Sequence, residues 1–172
     1  MTTRILCAEL PQHRGEQVTI KGWVHSHRQL GGHLAFLNLR DRSGIVQVVL
    51  EGELAALPLS TESVISVTGR VVEAKIAALG VEVSASHLER LAPAQSPLPI
   101  EVNKKDIPAG LETILDHRVL ALRNPKVHAT FTIQSVLAGA FREFFTERGF
   151  TQIFTPKIVA AGTEGRSNLF PI

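Results

Sequence analysis

The feature that most constrains the fold is a series of five strand-like segments between residues 17 and 90. "QVTIKGWVHSH" and "HLAFLNLR" alternate between apolar and polar residues, "GIVQVVL" is a short apolar run, and "SVISVTGRVVEA" and "GVEVSASHL" follow. Such alternation is typical of strands that bury one face, and glycine-rich or charged turns separate the segments. Because a sandwich usually has more strands, five strands in this length predict a small all-β closed barrel of the OB kind.

The character of the chain changes twice after this barrel. Residues 93–123 begin with a proline-rich stretch that shows no periodicity, which predicts a hinge or linker. From residue 124 onward, "NPKVHATFTIQSVLAGAFREFFTERGF" is the strongest helical segment, with Pro125 suited to its first turn and Gly149 to the position just past its end. We therefore predict an OB-fold domain at residues 1–92, a hinge at 93–123 and the beginning of a second domain at 124–172.

The predicted long helix is apolar on more than one side. One stripe consists of Val127, Phe131, Leu137, Phe141 and Phe145, and a second consists of Ile133, Val136, Ala140 and Phe144. A helix that packs against one partner needs only one stripe. The second stripe therefore predicts contact with a second body, such as another subunit.

Composition narrows the class of protein. Hydrophobic residues make up 44% and charged residues 20% of the chain, which is typical of a soluble globular protein. No apolar run approaches the roughly 18 residues that a membrane span needs, and the N-terminal decapeptide is too polar for a signal peptide. Cys7 is the only cysteine, so an internal disulfide is impossible and a reducing cytoplasm is the expected location.

A local basic strip covers residues 21–42 of a chain whose net charge is +2. Its cations are Lys21, Arg28, Arg40 and Arg42, Asp41 is its one acidic residue, and three histidines lie among them. A strip of this kind is either a solvated charged face or a footprint for a polyanion, and the charge alone leaves both readings open.

Phe36 is an aromatic residue on what should be the polar side of the second strand. In the second strand Ala35, Leu37 and Leu39 point one way, and Phe36, Asn38 and Arg40 point the other. If the aliphatic set faces the core, Phe36 lies outside beside Arg40, and an aromatic next to a cation on an OB strand is a common platform for a nucleic-acid base. A bulge could instead return Phe36 to the core.

Other polar side chains of the barrel admit two readings each. Gln47 interrupts an aliphatic run, where its amide could read a base edge or could merely end a strand. Arg28, at the end of the first strand, could bind a phosphate or a base, or could be an ordinary surface cation. His25 and His27 are two residues apart and should share a face, but a third ligand is missing nearby, so we predict no metal site. No phosphate loop or nucleophile constellation is evident, and no catalytic residue is assigned.

Four segments together resemble the N-terminal part of the class II aspartyl-tRNA synthetases of the archaeal type, which some bacteria also carry. They are "GWVHSHRQLGG", "FLNLRDRSGIVQVV", "LDHRVLALRNPKV" and "GTEGRSNLFP", and the likeness covers nearly the whole chain. The chain departs from the usual pattern at Gln29, where the family has Asp, and at Arg166, where its substrate lid has Gly. The turn "LGGHLAF" is also one residue longer than usual.

This resemblance implies roles for individual residues. The barrel would bind the tRNA anticodon, with Phe36 stacking on a base and Arg28 and Gln47 reading base edges. The remaining implied positions are Phe141, Phe145 and Pro156 in a homodimer interface, and Glu164, in a lid loop, as the ligand of the substrate's ammonium group. Residues 124–172 would begin an α+β class II catalytic domain.

The resemblance also implies a reaction and its partners. Enzymes of this family are aspartate–tRNA ligases, which use ATP and Mg²⁺ to activate L-aspartate and transfer it to tRNA. Their ATP-binding arginine motifs would lie beyond residue 172, so we expect these 172 residues to be a piece of a longer enzyme and to be inactive alone.

Relaxed tRNA specificity is a further expectation. Members of this branch that are strict for tRNA-Asp tend to carry Trp and Lys where this chain has His25 and Ala78. The resemblance therefore implies charging of both tRNA-Asp and tRNA-Asn, with a tRNA-dependent amidotransferase converting the mischarged product. Two alternatives remain: a stand-alone, non-catalytic module that binds tRNA or single strands, and a scaffold whose barrel contacts protein.

Overall fold

A computed structural model describes residues 4–155 and confirms the OB-type barrel. The strands are β1 (Gln17–Gln29), β2 (Leu34–Arg40), β3 (Ile45–Glu51), β4 (Val64–Glu73) and β5 (Val81–Ala92). They close in the order β1-β2-β3-β5-β4, with β3 and β5 parallel and the other pairs antiparallel. There are two short 3₁₀ helices: Cys7–Gln12 precedes β1, and Gly52–Ala56 lies between β3 and β4.

The barrel core follows the predicted alternation. Ala35, Leu37 and Leu39 of β2 are fully buried, and Val46, Val48 and Leu50 of β3 are buried beside them. Each of the leucine and valine side chains stabilises the fold by roughly 1.5–3 kcal/mol relative to an exposed one. The residues between them face outward, so the prediction of which face of β2 enters the core is confirmed.

Two glycines allow the strands to bend around this small core. A Cβ atom on Gly22 of β1 would collide with the carbonyl group of Arg40, and one on Gly69 of β4 would collide with the carbonyl group of Ser84. Glycine is the residue that permits so close an approach of two backbones. Both positions lie in the middle of long strands that pair on both sides, where the barrel closes.

The region after β5 contains two short helices, α1 (Leu111–Asp116) and α2 (Arg118–Ala121). The buried Asn124 ties the end of this region to its beginning, because its Nδ2 donates hydrogen bonds to the carbonyl oxygens of Val102 and Lys104, at 3.0 and 2.7 Å. The chain divides into two compact units between Asn124 and Pro125.

The second unit contains the predicted long helix, α3 (Pro125–Glu147). Gly149 follows it with a φ of 81°, the left-handed conformation that commonly ends helices. Phe145 is half-buried against Phe141 and Phe150, at ring-centroid distances of 4.8 and 5.2 Å. Among the described residues, none of the helices combines the length and the apolar character that a membrane crossing requires.

Candidate nucleic-acid interface

Strand pairing brings the predicted barrel residues onto one surface, which we call the outer face. Arg28 of β1 is opposite Phe36 of β2, and Asn38 of β2 is opposite both Ser26 of β1 and Gln47 of β3. Because directly paired residues of a sheet share a face, Arg28, Phe36 and Gln47 lie on adjacent strands of the same surface. The outer face thus presents a cation directly beside an aromatic ring, with an amide diagonally across from the ring on β3.

Phe36 lies outside the core, as the alternation of β2 predicts. Its neighbours Ala35 and Leu37 are fully buried, whereas Phe36 itself is half-buried. The pairing of β2 with β3 runs from Leu34 to Arg40 without a bulge, so nothing in that ladder returns the ring to the interior. A half-buried aromatic ring can stack on a base with its exposed face while its edge packs against the strand.

A β-bulge in β1 separates the two histidines. The register between β1 and β2 shifts between Val24 and Ser26, so His25 is the additional residue. It lies beside Arg40, with 2.9 Å between its Nδ1 and the Arg40 Nη1, whereas His27 is opposite the core residue Leu37. The prediction that the two histidines share a face is therefore wrong, because the inserted residue reverses the alternation between them.

Burial lowers the pKa of both histidines. Burial lowers the pKa of His25, and the charge of Arg40 lowers it further, with Glu62 opposing them. Burial alone lowers the pKa of His27, whose Nε2 is buried and has no hydrogen-bond partner within the described chain. Residues 4–155 contain no group of three His, Cys, Asp or Glu side chains that could hold a metal ion.

Gln47 is oriented by a carboxylate that the sequence analysis did not single out. Its Nε2 donates a 2.8 Å hydrogen bond to Oε2 of Glu82 on β5. On the neighbouring strand Asn38 donates to the Ser26 hydroxyl at 2.9 Å. With its nitrogen engaged by Glu82, Gln47 presents its carbonyl oxygen as a hydrogen-bond acceptor on the outer face.

Arg40 is a buried structural cation rather than part of an exposed basic strip. Its Nη2 donates to both carboxylate oxygens of Glu62, at 2.7 and 2.8 Å, and the two side chains are only 7% and 1% exposed. Arg123 donates to the same carboxylate at 2.9 Å, and both guanidinium groups contact the ring of Trp23. The cationic footprint is therefore smaller than the charge count predicts, while Arg28 and Arg42 remain exposed.

Glu62 is the centre of this buried cluster. Its φ is 68°, a left-handed backbone conformation that non-glycine residues rarely adopt. Its carboxylate binds Arg40 at the end of β2 and Arg123 at the end of the hinge. The surrounding ion pairs hold the unusual backbone, and the cluster ties the hinge to the barrel.

Asp41 and Cys7 form a second buried pair with a structural role. Asp41 accepts hydrogen bonds from the backbone N–H of Cys7 at 2.9 Å and from the Ser43 hydroxyl at 2.6 Å. Burial acts to raise the Asp41 pKa, but these hydrogen bonds outweigh it and the pKa lies below its ordinary value. Burial and the nearby Asp41 raise the pKa of the Cys7 thiol to about 12, so Cys7 is not a nucleophile at neutral pH.

The two positions predicted to affect tRNA discrimination are not adjacent strand neighbours. Ala78 is exposed in the turn between β4 and β5, four residues before Glu82, whereas His25 lies on β1. In the barrel, β4 stands between β1 and β5 on one side, and β2 and β3 stand between them on the other. Ala78 therefore lies in the turn that leads into β5, and His25 lies beside Arg40.

The second unit presents a separate apolar surface. Phe141 is 67% exposed on α3, and Leu137, Phe145, Phe150 and Ile153 line an open groove with it. Most of the two predicted stripes of α3 is exposed within residues 4–155. The other predicted residues of this part, Pro156 and Glu164, lie outside the described residues.

Two protein families match separate parts of the chain. Residues 18–91 match a family described as an OB-fold nucleic acid binding domain. Residues 110–172 match a family described as tRNA synthetases class II (D, K and N). The first match coincides with the barrel, and the second includes α3.

Curated proteins are similar to this chain along nearly its whole length. The chain is 45% identical to an aspartate–tRNA(Asp/Asn) ligase of Archaeoglobus fulgidus, with 98% of this chain and 41% of the relative aligned. It is 43% identical to the enzyme of that name from Thermus thermophilus, with 98% and 39% aligned. The chain thus spans about two fifths of the length of the curated relatives it matches.

Solved structures agree with this likeness. The asparaginyl-tRNA synthetase from Pyrococcus horikoshii complexed with asparaginyl-adenylate is 31% identical and superposes with a TM-score of 0.83, covering 99% of this chain and 40% of that one. The aspartyl tRNA synthetase from Entamoeba histolytica is 27% identical with a TM-score of 0.79, covering 92% and 40%.

Proposed function

We propose that this chain is part of a class II tRNA synthetase of the D, K and N group that acts as an aspartate–tRNA ligase. Two family matches support the proposal: residues 18–91 match an OB-fold nucleic acid binding domain, and residues 110–172 match the synthetase family. The family resemblance predicted from the sequence is confirmed by these matches and by the relatives. We propose the domain division 1–92, 93–123 and 124–172, with the barrel reading the anticodon.

The observation that carries the proposal is the trio on the outer face. Arg28 is paired directly with Phe36, and Gln47 lies diagonally from Phe36 on β3, opposite Asn38. A base stacked on Phe36 would have the guanidinium beside it and the amide one residue pair further along the sheet. Stacking supplies affinity for any base, and hydrogen bonds to the base edge supply selectivity. We propose that these three residues bind the anticodon loop.

The chemical step belongs to the whole enzyme. L-aspartate would react with ATP to give aspartyl-adenylate and pyrophosphate, and the acyl group would then pass to the terminal ribose of tRNA. Mg²⁺ would neutralise the ATP phosphates. We propose Glu164 as the ligand of the aspartate ammonium group.

The apolar surface of the second unit supports a homodimer. Phe141 is exposed and Phe145 lies at the base of the groove beside it. Exposed apolar surface of this extent on one helix is typical of a protein–protein interface. We propose that Phe141, Phe145 and Pro156 contribute to contact with a second copy of the protein, which would work in the cytoplasm, where tRNA is charged.

We propose that both tRNA-Asp and tRNA-Asn are substrates. The curated relatives are called aspartate–tRNA(Asp/Asn) ligases, and this chain carries His25 and Ala78 at the positions discussed above. In place of the Trp and Lys of strict members, an imidazole and a methyl group would pack more loosely around the anticodon, and looser packing weakens discrimination between similar bases. Aspartate on tRNA-Asn would then be amidated by a tRNA-dependent amidotransferase.

Aspartylation of both tRNAs by the full-length enzyme tests this proposal. We expect the kcat/KM values for tRNA-Asp and tRNA-Asn to differ by less than about a hundredfold, equivalent to about 2.7 kcal/mol. A tRNA specific for an unrelated amino acid serves as the control and should not be charged. A preference for tRNA-Asp above that ratio would contradict relaxed specificity, and failure to charge either tRNA with aspartate would contradict the ligase itself.

The alternative of a stand-alone, non-catalytic module that binds tRNA or single strands is not favoured. Such a module would need only the barrel, whereas residues 110–172 match the class II synthetase family. Nearly the whole chain also aligns with curated ligases.

A further inference from the structure

Two adjacent residues before β4, Glu62 and Ser63, hold both ends of the hinge. The hydroxyl oxygen of the buried Ser63 accepts a 3.1 Å hydrogen bond from the backbone N–H of Ala94, at the beginning of the hinge. The Glu62 carboxylate accepts a 2.9 Å hydrogen bond from Nη1 of Arg123, at the end of the hinge. We call Glu62 and Ser63 the clasp, because these neighbouring residues bind the beginning and the end of one segment.

The clasp is itself fixed to the barrel by β1. The backbone N–H of Glu62 donates to the carbonyl oxygen of Val24 at 2.8 Å, and the backbone N–H of Val24 donates to the carbonyl oxygen of Ser63 at 2.9 Å. Val24 is fully buried in the barrel core. These backbone hydrogen bonds and the buried carboxylate together hold Glu62 at its φ of 68°, a conformation that persists only where its surroundings determine it.

Arg123 makes two separate contacts with the barrel. Besides its ion pair with Glu62, its guanidinium carbon lies 5.1 Å from the centroid of the Trp23 ring in β1. The Arg123 side chain is 30% exposed, whereas Arg40, which shares the same carboxylate, is 7% exposed. Because Arg40 and Glu62 form a complete bidentate pair, removal of Arg123 would leave no buried charge without a partner. The barrel should therefore remain folded when Arg123 is replaced.

The chain leaves the hinge directly after this anchored arginine. Asn124 follows Arg123 and donates hydrogen bonds to the carbonyl oxygens of Val102 and Lys104. Pro125 then begins both α3 and the second unit. The point at which the chain enters the synthetase segment is thus held on the barrel side by two successive residues.

We propose that Arg123 is a positioning residue for the transfer of aspartate to tRNA, and that it acts through the clasp by fixing the point at which the chain leaves the hinge. This inference rests on the proposed ligase function and on anticodon binding by the outer face. A tRNA bound through its anticodon has to bring its terminal ribose to the adenylate, and such a reaction is fast only when the reacting groups are held in place. Formation of the adenylate needs only aspartate and ATP, so it does not depend on that placement.

Amide hydrogen exchange of the 172-residue chain tests the clasp. Arg123→Met removes the guanidinium group and keeps a long side chain. The hydrogen-bonded amides of residues 120–124 should then exchange at least about fivefold faster, while the barrel strands keep their rates. Lys105→Met removes an exposed cation of the same hinge and should change neither. Unchanged exchange of residues 120–124 in Arg123→Met would overturn the role of Arg123 in the clasp.

Two reactions of the full-length enzyme test the positioning role. Aspartate-dependent ATP–pyrophosphate exchange measures adenylate formation, and single-turnover charging of tRNA-Asp from preformed adenylate measures transfer. For Arg123→Met we expect pyrophosphate exchange within about twofold of the unaltered enzyme and transfer about tenfold slower, since small displacements of reacting groups are costly. Arg123→Lys keeps a cation for Glu62 and should recover part of the transfer rate, and Lys105→Met should leave both rates unchanged.

Binding of an anticodon stem-loop distinguishes positioning from direct contact with tRNA. The Arg123→Met chain should bind the stem-loop of tRNA-Asp within about twofold of the unaltered chain. A loss of stem-loop affinity as large as the loss in transfer would make Arg123 a tRNA contact and overturn its positioning role. Equal losses in pyrophosphate exchange and transfer, or transfer at the unaltered rate, would also overturn it.

Failure of the proposed function would give a different result. If the unaltered full-length enzyme charged no tRNA with aspartate, both the ligase function and the positioning role would be overturned. Amide hydrogen exchange would still decide whether Arg123 and the clasp hold the hinge, because that measurement involves no tRNA.

Discussion

Replacement of Glu62 by alanine is expected to lower the free energy of unfolding of the chain by about 3–5 kcal/mol, because it leaves a buried guanidinium without its counter-ion. Arg40 is 7% exposed at its side chain and would lose both carboxylate hydrogen bonds. Arg123 would lose its contact with the same carboxylate. Urea unfolding of the unaltered chain and the variant measures the difference.

A matched control and a double variant make this expectation specific. Glu89 is an exposed carboxylate on β5, and Glu89→Ala should change stability by no more than about 0.5 kcal/mol. The double variant that replaces both Arg40 and Glu62 should lose less than the sum of the two single variants, since removing both charges leaves neither unpaired. A Glu62→Ala loss no larger than that of Glu89→Ala would refute the structural role of the cluster.

Replacement of Phe36 by alanine is expected to weaken binding of the anticodon stem-loop by about 1–3 kcal/mol, the usual contribution of one base stacked on an aromatic ring. Phe36 is half-buried on the outer face and is not part of the buried core. The variant should therefore fold, which its circular dichroism and unfolding curve would verify. Fluorescence anisotropy with a labelled stem-loop at fixed salt measures the affinity.

Conservative variants at Phe36 distinguish stacking from general contact. Phe36→Trp keeps a flat ring and should retain most of the affinity, whereas Phe36→Leu keeps an apolar side chain without a ring and should behave like the alanine variant. Equal affinities for all three variants and the unaltered chain would show that no base stacks at Phe36.

The barrel was predictable because the alternation of apolar and polar residues along a strand reflects which side chains are buried. Leu37 and Leu39 are core residues for the same reason that they alternate with Phe36 and Asn38 in the sequence. The long helix was predictable from its period and from the glycine at position 149. These elements depend on local patterns of apolar and polar residues, and each pattern involves residues that are close together in the chain.

The polar clusters were not predictable because their partners are distant in the sequence. Glu62 binds Arg40, 22 residues away, and Arg123, 61 residues away. Nothing in the local sequence around Glu62 distinguishes it from a solvated loop carboxylate. Glu82 likewise occupies an ordinary outward position in β5, and its role follows only from its contact with Gln47.

The bulge at His25 explains why the prediction that His25 and His27 share a face was wrong. A bulge adds a residue without disturbing the apolar pattern enough to be visible, so the spacing of His25 and His27 predicted a shared face that the fold does not have. The same inserted residue brings the Nδ1 atom of His25 to 2.9 Å from the Nη1 atom of Arg40.

Binding of three anticodon stem-loops to the 172-residue chain at one salt concentration tests the central claim most directly. Two carry the anticodons of tRNA-Asp and tRNA-Asn, and the third differs from the first only at the middle base. We expect the first two to bind within about tenfold of each other and the third to bind more weakly by about 1–3 kcal/mol, the usual effect of one wrong base. Equal affinity for all three would show that the barrel binds RNA only through its phosphates, and would contradict anticodon reading by the outer face.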